Sequence, residues 1–267
     1  VPTFRPFAAL RYDRHRFAPE DVTSPPYDVL SPADRIALVA RNPHNAVLID
    51  LPTEADGPGR YEAAGARLQA WIAEGVLVQD TAPTFTAYRM TAADDRGQAV
   101  STLGVLGALT LSRPDEGQIL PHEYTTPKAK SDRLDLLRGT RANLSPIWGL
   151  SLSAGLSALL APPAEGPTQA WTDEDGTLHE AWPITEPDRI EAIAAAVGSQ
   201  PVVIADGHHR YETSLAYRDE RRATDGEGGP ADATLCYVVE LTDEQLTVRP
   251  IHRLVHGFGD LDLAAAL

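Results

Sequence analysis

Near residue 200 the chain reads PVVIADGHHRYETSLAYRDERR, and five consecutive residues there could do chemistry. An apolar run leads into Asp206, Gly207, His208, His209 and Arg210, and a helical pattern follows. These residues therefore occupy the turn between a buried strand and a helix. The backbone N–H groups at a helix start have no intrahelical partners, and with the macrodipole they favour an anion by ~0.3–1 kcal/mol. Gly207 would let a ligand approach the backbone closely. Arg210 can offer a forked contact to phosphate, and His208 and His209 add donors whose charge depends on pH. Asp206 would repel a phosphate directly, so its expected roles are to cap the helix, to hold Mg2+ or to meet a substrate hydroxyl. The plain structural alternative is a capped turn with exposed histidines.

A second constellation lies in PHEYTTPKAKSDR, which places His122, Glu123, Thr125, Thr126, Lys128, Lys130, Asp132 and Arg133 within a dozen residues. Of the 23 basic residues 21 are arginine, and the two lysines, Lys128 and Lys130, both fall here. Lysine is a compact point charge with a tunable pKa and arginine a planar fork, so the two are not interchangeable. Phosphoryl transfer needs a carboxylate near the acceptor or a metal, and cations where charge develops. Glu123 could be a base or a Mg2+ ligand, Lys128 or Lys130 could hold a polyphosphate, and His122 and Thr125 could line the pocket. Asn143 and Ser145, in ANLSPIW, are candidate polar neighbours. The alternative is a solvated polar loop followed by a helix. A third candidate is TSPPYDVLSP, where Pro25 and Pro26 fix an extended approach and Tyr27 and Asp28 could point into a pocket, or simply lead into the next helix.

Zinc and nucleophile signatures are lacking. His208 and His209 are adjacent rather than four apart, and Thr126 stands where an H-E-x-x-H motif would place its second histidine. A metal-dependent hydrolase is thus a lesser reading. There is no G-x-S-x-G motif, and Cys236 is the single cysteine, so neither a disulfide framework nor a cysteine zinc cluster exists. His252, in PIHRLV, reads as part of a strand end.

The elements that must position these groups follow from pattern. FRPFAALRYD reads as a strand. SPADRIALVARNP reads as a helix capped by Ser31, with Pro32 and Asp34 in its first turn. NAVLIDLP reads as a short buried strand. In GRYEAAGARLQAWIAEG, Tyr61, Ala64, Leu68, Trp71 and Ile72 share a helix face that stops at Gly75. TFTAYRM and AVSTLGVLGALTL read as an antiparallel pair, and residues 112–130 as irregular, before a short helix in SDRLDLLRG. TQAWTDEDGTLHEAWPI is a hairpin turning at Asp175-Gly176, TEPDRIEAIAAAVGS is a capped helix, and TLCYVVELT and LTVRPIHRLV close a last hairpin. Hairpins and helices without regular alternation indicate an α+β protein with mixed, largely antiparallel sheets and packed helices. The expected organisation is an N-terminal lobe over 1–111 and a second lobe over 112–267 carrying both motifs.

The 267 residues suffice for a sizeable core, and 43% hydrophobic with 23% charged is ordinary for a globular chain. A net charge of −15 argues against a nucleic-acid partner. No apolar run of ~20 residues or signal peptide is visible, which favours the cytoplasm and no membrane contact. The oligomeric state stays open.

The turn VVIADGHHRYETSLAY resembles the phosphate-binding turn of the ParB/sulfiredoxin superfamily, which includes free-serine kinases with a similar Asp-Gly-His-x-Arg turn. His208 stands where sulfiredoxin has its reactive cysteine, and ParB's arginine-rich box and helix-turn-helix are absent, so those two activities do not carry over. The kinase resemblance implies a phosphate held by Gly207, His208, His209 and Arg210, with Asp206 near the acceptor hydroxyl. A wider resemblance, through SPPYDVL, PHEYTTPKAKSDRLDLL, NLSPIWGL, ADGHHRYETSLAY and PIHRLV, is to a bacterial and archaeal family catalogued as a domain of unknown function. Its members are usually longer, which implies a C-terminal portion beyond this chain. The resulting expectation is a nucleotide-binding protein using ATP or ADP with Mg2+, held by Glu123 and Asp206, to phosphorylate a small hydroxylated metabolite such as serine. The rival is a nucleotide-responsive binding module without an acceptor.

Overall fold

The computed structural model describes residues 1–123 and 127–242, with the backbone alone at 127–131. Its strands are β1 (Phe4–Arg5), β2 (Leu10–Tyr12), β3 (Leu77–Gln79), β4 (Phe85–Ala93), β5 (Ala99–Thr110), β6 (Ile119–Leu120), β7 (Ile147–Ser151), β8 (Gln169–Thr172), β9 (Leu178–Ile184), β10 (Val202–Asp206) and β11 (Ala233–Glu240). Its helices are α1 (Pro19–Val22), α2 (Pro32–Arg41), α3 (Val47–Asp50), α4 (Arg60–Ala73), α5 (Pro127–Thr140), α6 (Leu156–Leu159), α7 (Pro187–Gly198) and α8 (His208–Asp225). The architecture is α+β. One large mixed sheet runs in the order β6-β10-β7-β11-β5-β4-β9-β8, with β1 also pairing β5, and β2 and β3 form a separate pair. Strands from both sides of residue 111 contribute to the large sheet.

Most neighbours are antiparallel, but β10 pairs β6 and β11 pairs β7 in parallel. β11 is central, lying against β5 from Ala233 to Val239 and against β7 from Cys236 to Glu240. Both of its edges are therefore occupied, and the second strand expected after it, in 246–255, lies outside the described residues, as does His252. The sheet buries Phe85, Ala87, Val105, Ile147, Val202, Ile204, Cys236 and Val238 with Ile193 and Val197 of α7 and Tyr211 of α8. A second cluster joins Ile49, Leu68, Trp71, Val76 and Leu77 around α4.

Several local expectations hold. Ser31 and Asp34 form a reciprocal capping box at the start of α2, the β8–β9 hairpin turns at Gly176 with φ +81°, and Gly75 ends α4 with φ +69°. Others need correction. NAVLIDLP is not a strand: Val47–Asp50 is a helical turn. The buried Asn45 side chain dictates this, accepting from the Val47 N–H at 3.0 Å and donating to the Asp21 and Thr23 carbonyls at 3.0 and 2.8 Å. These tertiary bonds outweigh the β propensity of Val and Ile. FRPFAALRYD splits into β1 and β2, which belong to different sheets. Residues 119–120 form the edge strand β6 inside the stretch expected to be irregular, and α5 begins at Pro127 rather than Ser131.

α4 and α5 meet almost backbone to backbone. A Cβ at Gly65 would lie 2.1 Å from the Gly139 carbonyl oxygen, and one at Gly139 would lie 2.4 Å from the Tyr61 carbonyl oxygen. The contact fixes α5, which carries Arg133, against the N-terminal helices.

Candidate functional site

β10 and α8 form the strand–turn–helix expected from the sequence. The ladder with β7 shifts register between Ile204 and Asp206, and Gly207 turns the chain with φ +88°. A side chain there would be strained by that φ and would lie 3.1 Å from the Arg210 guanidinium, so the position suits glycine twice over. Among the described residues no side chain caps the start of α8. Asp206 therefore does not serve as a helix cap. Its carboxylate accepts from Arg210, whose guanidinium also donates to the Pro146 carbonyl.

His208 points inward and is 4% exposed. Its Nε2 accepts the His122 backbone N–H at 3.2 Å, which leaves the ring proton on Nδ1, 3.6 Å from a Glu123 carboxylate oxygen. The His122 ring stands edge-on to it, with centroids 4.6 Å apart. Burial, and then the proximity of His122, push its pKa below the usual histidine value, against the opposing pull of Glu123 and Asp206. His208 thus ties residues 122–123 to the start of α8, while the His122 and Glu123 side chains remain exposed. The Lys128 and Lys130 backbones lie in the first turn of α5; their side chains, and all of Thr125, fall outside the described structure.

Behind Arg210 lies a cavity of about 50 Å3. Five of the residues singled out in the sequence line it: Tyr27, Arg133, Asn143, Ser145 and Arg210. Sequence reasoning missed Asp50 and Thr213, which line it too, together with Ser214, Thr234 and the apolar Leu136, Leu137, Ala142 and Leu144. Arg133 is 7% exposed and held from several directions. It bonds the Asp132 carboxylate through Nε and Nη2 at 3.0 and 2.9 Å, donates to the Asp50 carbonyl at 2.9 Å, and lies 3.9 Å from the centre of the Tyr27 ring. The Asp50 carboxylate is 3.4 Å from Arg133 Nη1 and from Ser145 Oγ. Burial pushes its pKa above the ordinary aspartate value, partly offset by Arg133, Ser145 and Arg210. Thr234 donates to Asn143 Oδ1 and shares a hydrogen bond with Ser214, whereas the buried Thr213 hydroxyl has no partner among the described residues. Asp28 is exposed beside this cavity, close enough to act on both Tyr27 and Asp50.

The arrangement combines a helix start that no described side chain caps with a small cavity of mixed polar and apolar lining, and Arg210 belongs to both. Among the described residues no group of three or more His, Cys, Asp and Glu side chains is placed to hold a metal ion, and no helix is long and apolar enough to cross a membrane.

This is an α+β protein built around a large mixed sheet, with a small cavity at the meeting of α5, α8 and the strand turn. Residues 4–267 match the family described as Protein of unknown function (DUF1015), and the chain belongs to that family. No curated protein and no solved structure matches it.

Proposed function

We propose that the chain binds a nucleotide through the Asp206–Arg210 turn and passes its terminal phosphoryl group to a small hydroxylated molecule. The observation that carries this reading is the small recess directly behind Arg210, where Asp50, Arg133 and Thr213 stand among the apolar Leu136, Leu137 and Leu144. A module that only sensed a nucleotide would need no second recess beside its phosphate turn. The nucleotide half rests on the uncapped N–H groups of α8, the glycine at φ +88° and the turn's likeness to those of free-serine kinases. In this proposal Glu123 and Asp206, which flank His208, are the candidates for Mg2+, and Lys128 and Lys130 for the polyphosphate. Arg210 would exchange its bonds to Asp206 and Pro146 for phosphate oxygens.

The test is to incubate the protein with ATP or ADP, Mg2+ and a panel of small alcohols, serine first, and to seek new phosphate monoesters by mass spectrometry. Arg210→Ala should weaken nucleotide binding roughly ten- to hundredfold, the worth of a charge-assisted contact. Tight nucleotide binding with no acceptor phosphorylated would make the protein a nucleotide-responsive module instead.

A further inference from the structure

We infer that the cavity lined by Asp50, Arg133, Arg210 and Thr213 seats the acceptor, a short hydroxy acid or hydroxylated amino acid, and that Asp50 takes the proton from its hydroxyl. The inference rests on the phosphoryl-transfer reading above and names the substrate class and the base for it. Neither Glu123 nor Asp206 lines this cavity.

Size is the first argument. One water needs roughly 10–15 Å3 of such space, so a cavity of about 50 Å3 has room for about three to five water-sized positions. The cavity opens to solvent, so its inner space takes the carboxylate end of a short acid and the remainder of the ligand lies in its mouth. In this reading the nucleotide lies outside, on the turn, with its phosphates approaching Arg210.

Charge is the second. The ionisable walls are two guanidinium groups and one carboxylate, with the Tyr27 phenol beside them. Asp132 and Asp206, which pair with Arg133 and Arg210, do not line the cavity, and their side chains are 41% and 68% exposed. Water screens those two acids far more than it screens the interior faces of the arginines. Each guanidinium has five N–H donors, so the bonds described above leave some on both arginines for a ligand carboxylate. Arg133 is also fixed in place by Asp132, the Asp50 carbonyl and the Tyr27 ring, so little reorganises when the ligand enters.

The third argument is the orphaned hydroxyl. Thr213 is 4% exposed, and its Oγ1 is buried without a partner among the described residues although it lines the cavity. Ser214 also bonds the Arg210 carbonyl and Thr234 bonds Asn143 Oδ1, and the two hydroxyls contact each other, so Thr213 is left for the occupant.

The reaction then balances. The acceptor oxygen forms a bond to the terminal phosphorus, and the bridging P–O bond breaks. The nucleoside diphosphate leaves with that electron pair, and the hydroxyl proton passes to an Asp50 carboxylate oxygen. Asp50 suits the task because its contacts with Ser145 and Arg133 are long, at 3.4 Å, and because burial strengthens it as a base. The charged groups acting on it are Arg133, Arg210 and Asp28.

The experiment compares D-glycerate with glycerol and L-serine with ethanolamine, each with ATP and Mg2+, in the wild type, Asp50→Asn and Thr213→Val. We expect the acids to exceed their carboxylate-free partners in kcat/KM by about tenfold or more. Asp50→Asn should lower kcat by ~10²–10⁴-fold and remove the acid limb of the pH profile, with nucleotide affinity unchanged. Thr213→Val should melt at the same or higher temperature, since it deletes an unpaired buried hydroxyl, yet bind D-glycerate more weakly by calorimetry. Equal use of acids and alcohols, or an Asp50→Asn enzyme that keeps most of its kcat, overturns the inference. Should no acceptor be phosphorylated, the transfer reading fails and the base role with it. D-glycerate binding that weakens in Thr213→Val would still uphold the seat, and absence of acid binding would overturn that as well.

Discussion

Replacing Gly65 by alanine is the sharpest test of how the site is held together. On an isolated helix the change would stabilise α4 by about 0.8–1 kcal/mol, because glycine is a poor helix former. Here the added Cβ would sit 2.1 Å from the Gly139 carbonyl oxygen, whereas ordinary contact begins near 3.4 Å, so α4 and α5 must part by about 1.3 Å. The obstructing atom is backbone, so no rotamer change relieves it. Overpacking of this kind costs ~1–3 kcal/mol, and a rigid obstacle places it at the upper end. The net expectation is a loss of about 2 kcal/mol, or about 4–8 °C in Tm for a domain of this size. Parting the helices also pulls Arg133 from Asp50, whose 3.4 Å ion pair has no slack. Gly65→Ala should therefore weaken binding at the cavity as well as stability. Thermal melts followed by circular dichroism, with urea titrations at 25 °C, make the measurement. A variant as stable as the wild type, or more stable, would refute the close crossing and the reasoning built on it.

Three further outcomes are expected. The Cys236 thiol is fully buried and its pKa is pushed up to about 12, so a thiol-specific reagent at pH 8 should label it only as fast as the protein opens, and rapid native labelling would contradict its burial. Tyr211→Phe deletes a hydroxyl that donates to the Ser112 carbonyl at 2.7 Å and accepts from its N–H at 3.1 Å; urea unfolding should show a loss of ~1–3 kcal/mol from the two stranded backbone groups. Because the folded-state pKa of Asp50 is raised, the folded state holds its proton more tightly than the unfolded chain. Its contribution to stability is then fully present below the unfolded aspartate pKa of ~3.9 and is lost as pH rises through the raised value. Asp50→Asn should accordingly gain stability relative to the wild type as pH rises across that window, and parallel stability–pH curves would contradict this.

What the sequence discloses and what it hides follow the range of the interactions. Ser31 and Asp34 announce α2 because a capping box is complete within four residues, and Asp175-Gly176 announces a hairpin because the turn itself demands a positive φ. The strand–Gly207–helix turn is legible for the same reason. Val47–Asp50 misleads because its helical turn is imposed by Asn45 reaching back more than 20 residues to Asp21 and Thr23. Two-residue β6 is too short to show any periodicity. The pairing of Asp50 with Arg133 spans 83 positions, and in the sequence Asp50 is only an acid closing an apolar run. Thr213 looks like any polar residue on an amphipathic helix; its lack of a partner exists only once α8 has docked.

The central place of β11 has a consequence for the order in which the molecule can be assembled. Without residues 233–240 the large sheet is two separate ribbons, β6-β10-β7 on one side and the strands around β5 and β4 on the other. Each ribbon then ends in a long, unpaired edge beside apolar residues such as Val105 and Ile147. About 130 residues lie between the end of β5 at Thr110 and the end of β11 at Glu240. At ~5–20 residues per second, synthesis leaves the β5 edge open for about 6–26 s before its partner exists. Nascent chains are therefore exposed to edge-to-edge association during that interval, and a holdase that covers β5 should raise the yield of folded protein more than one that acts after release.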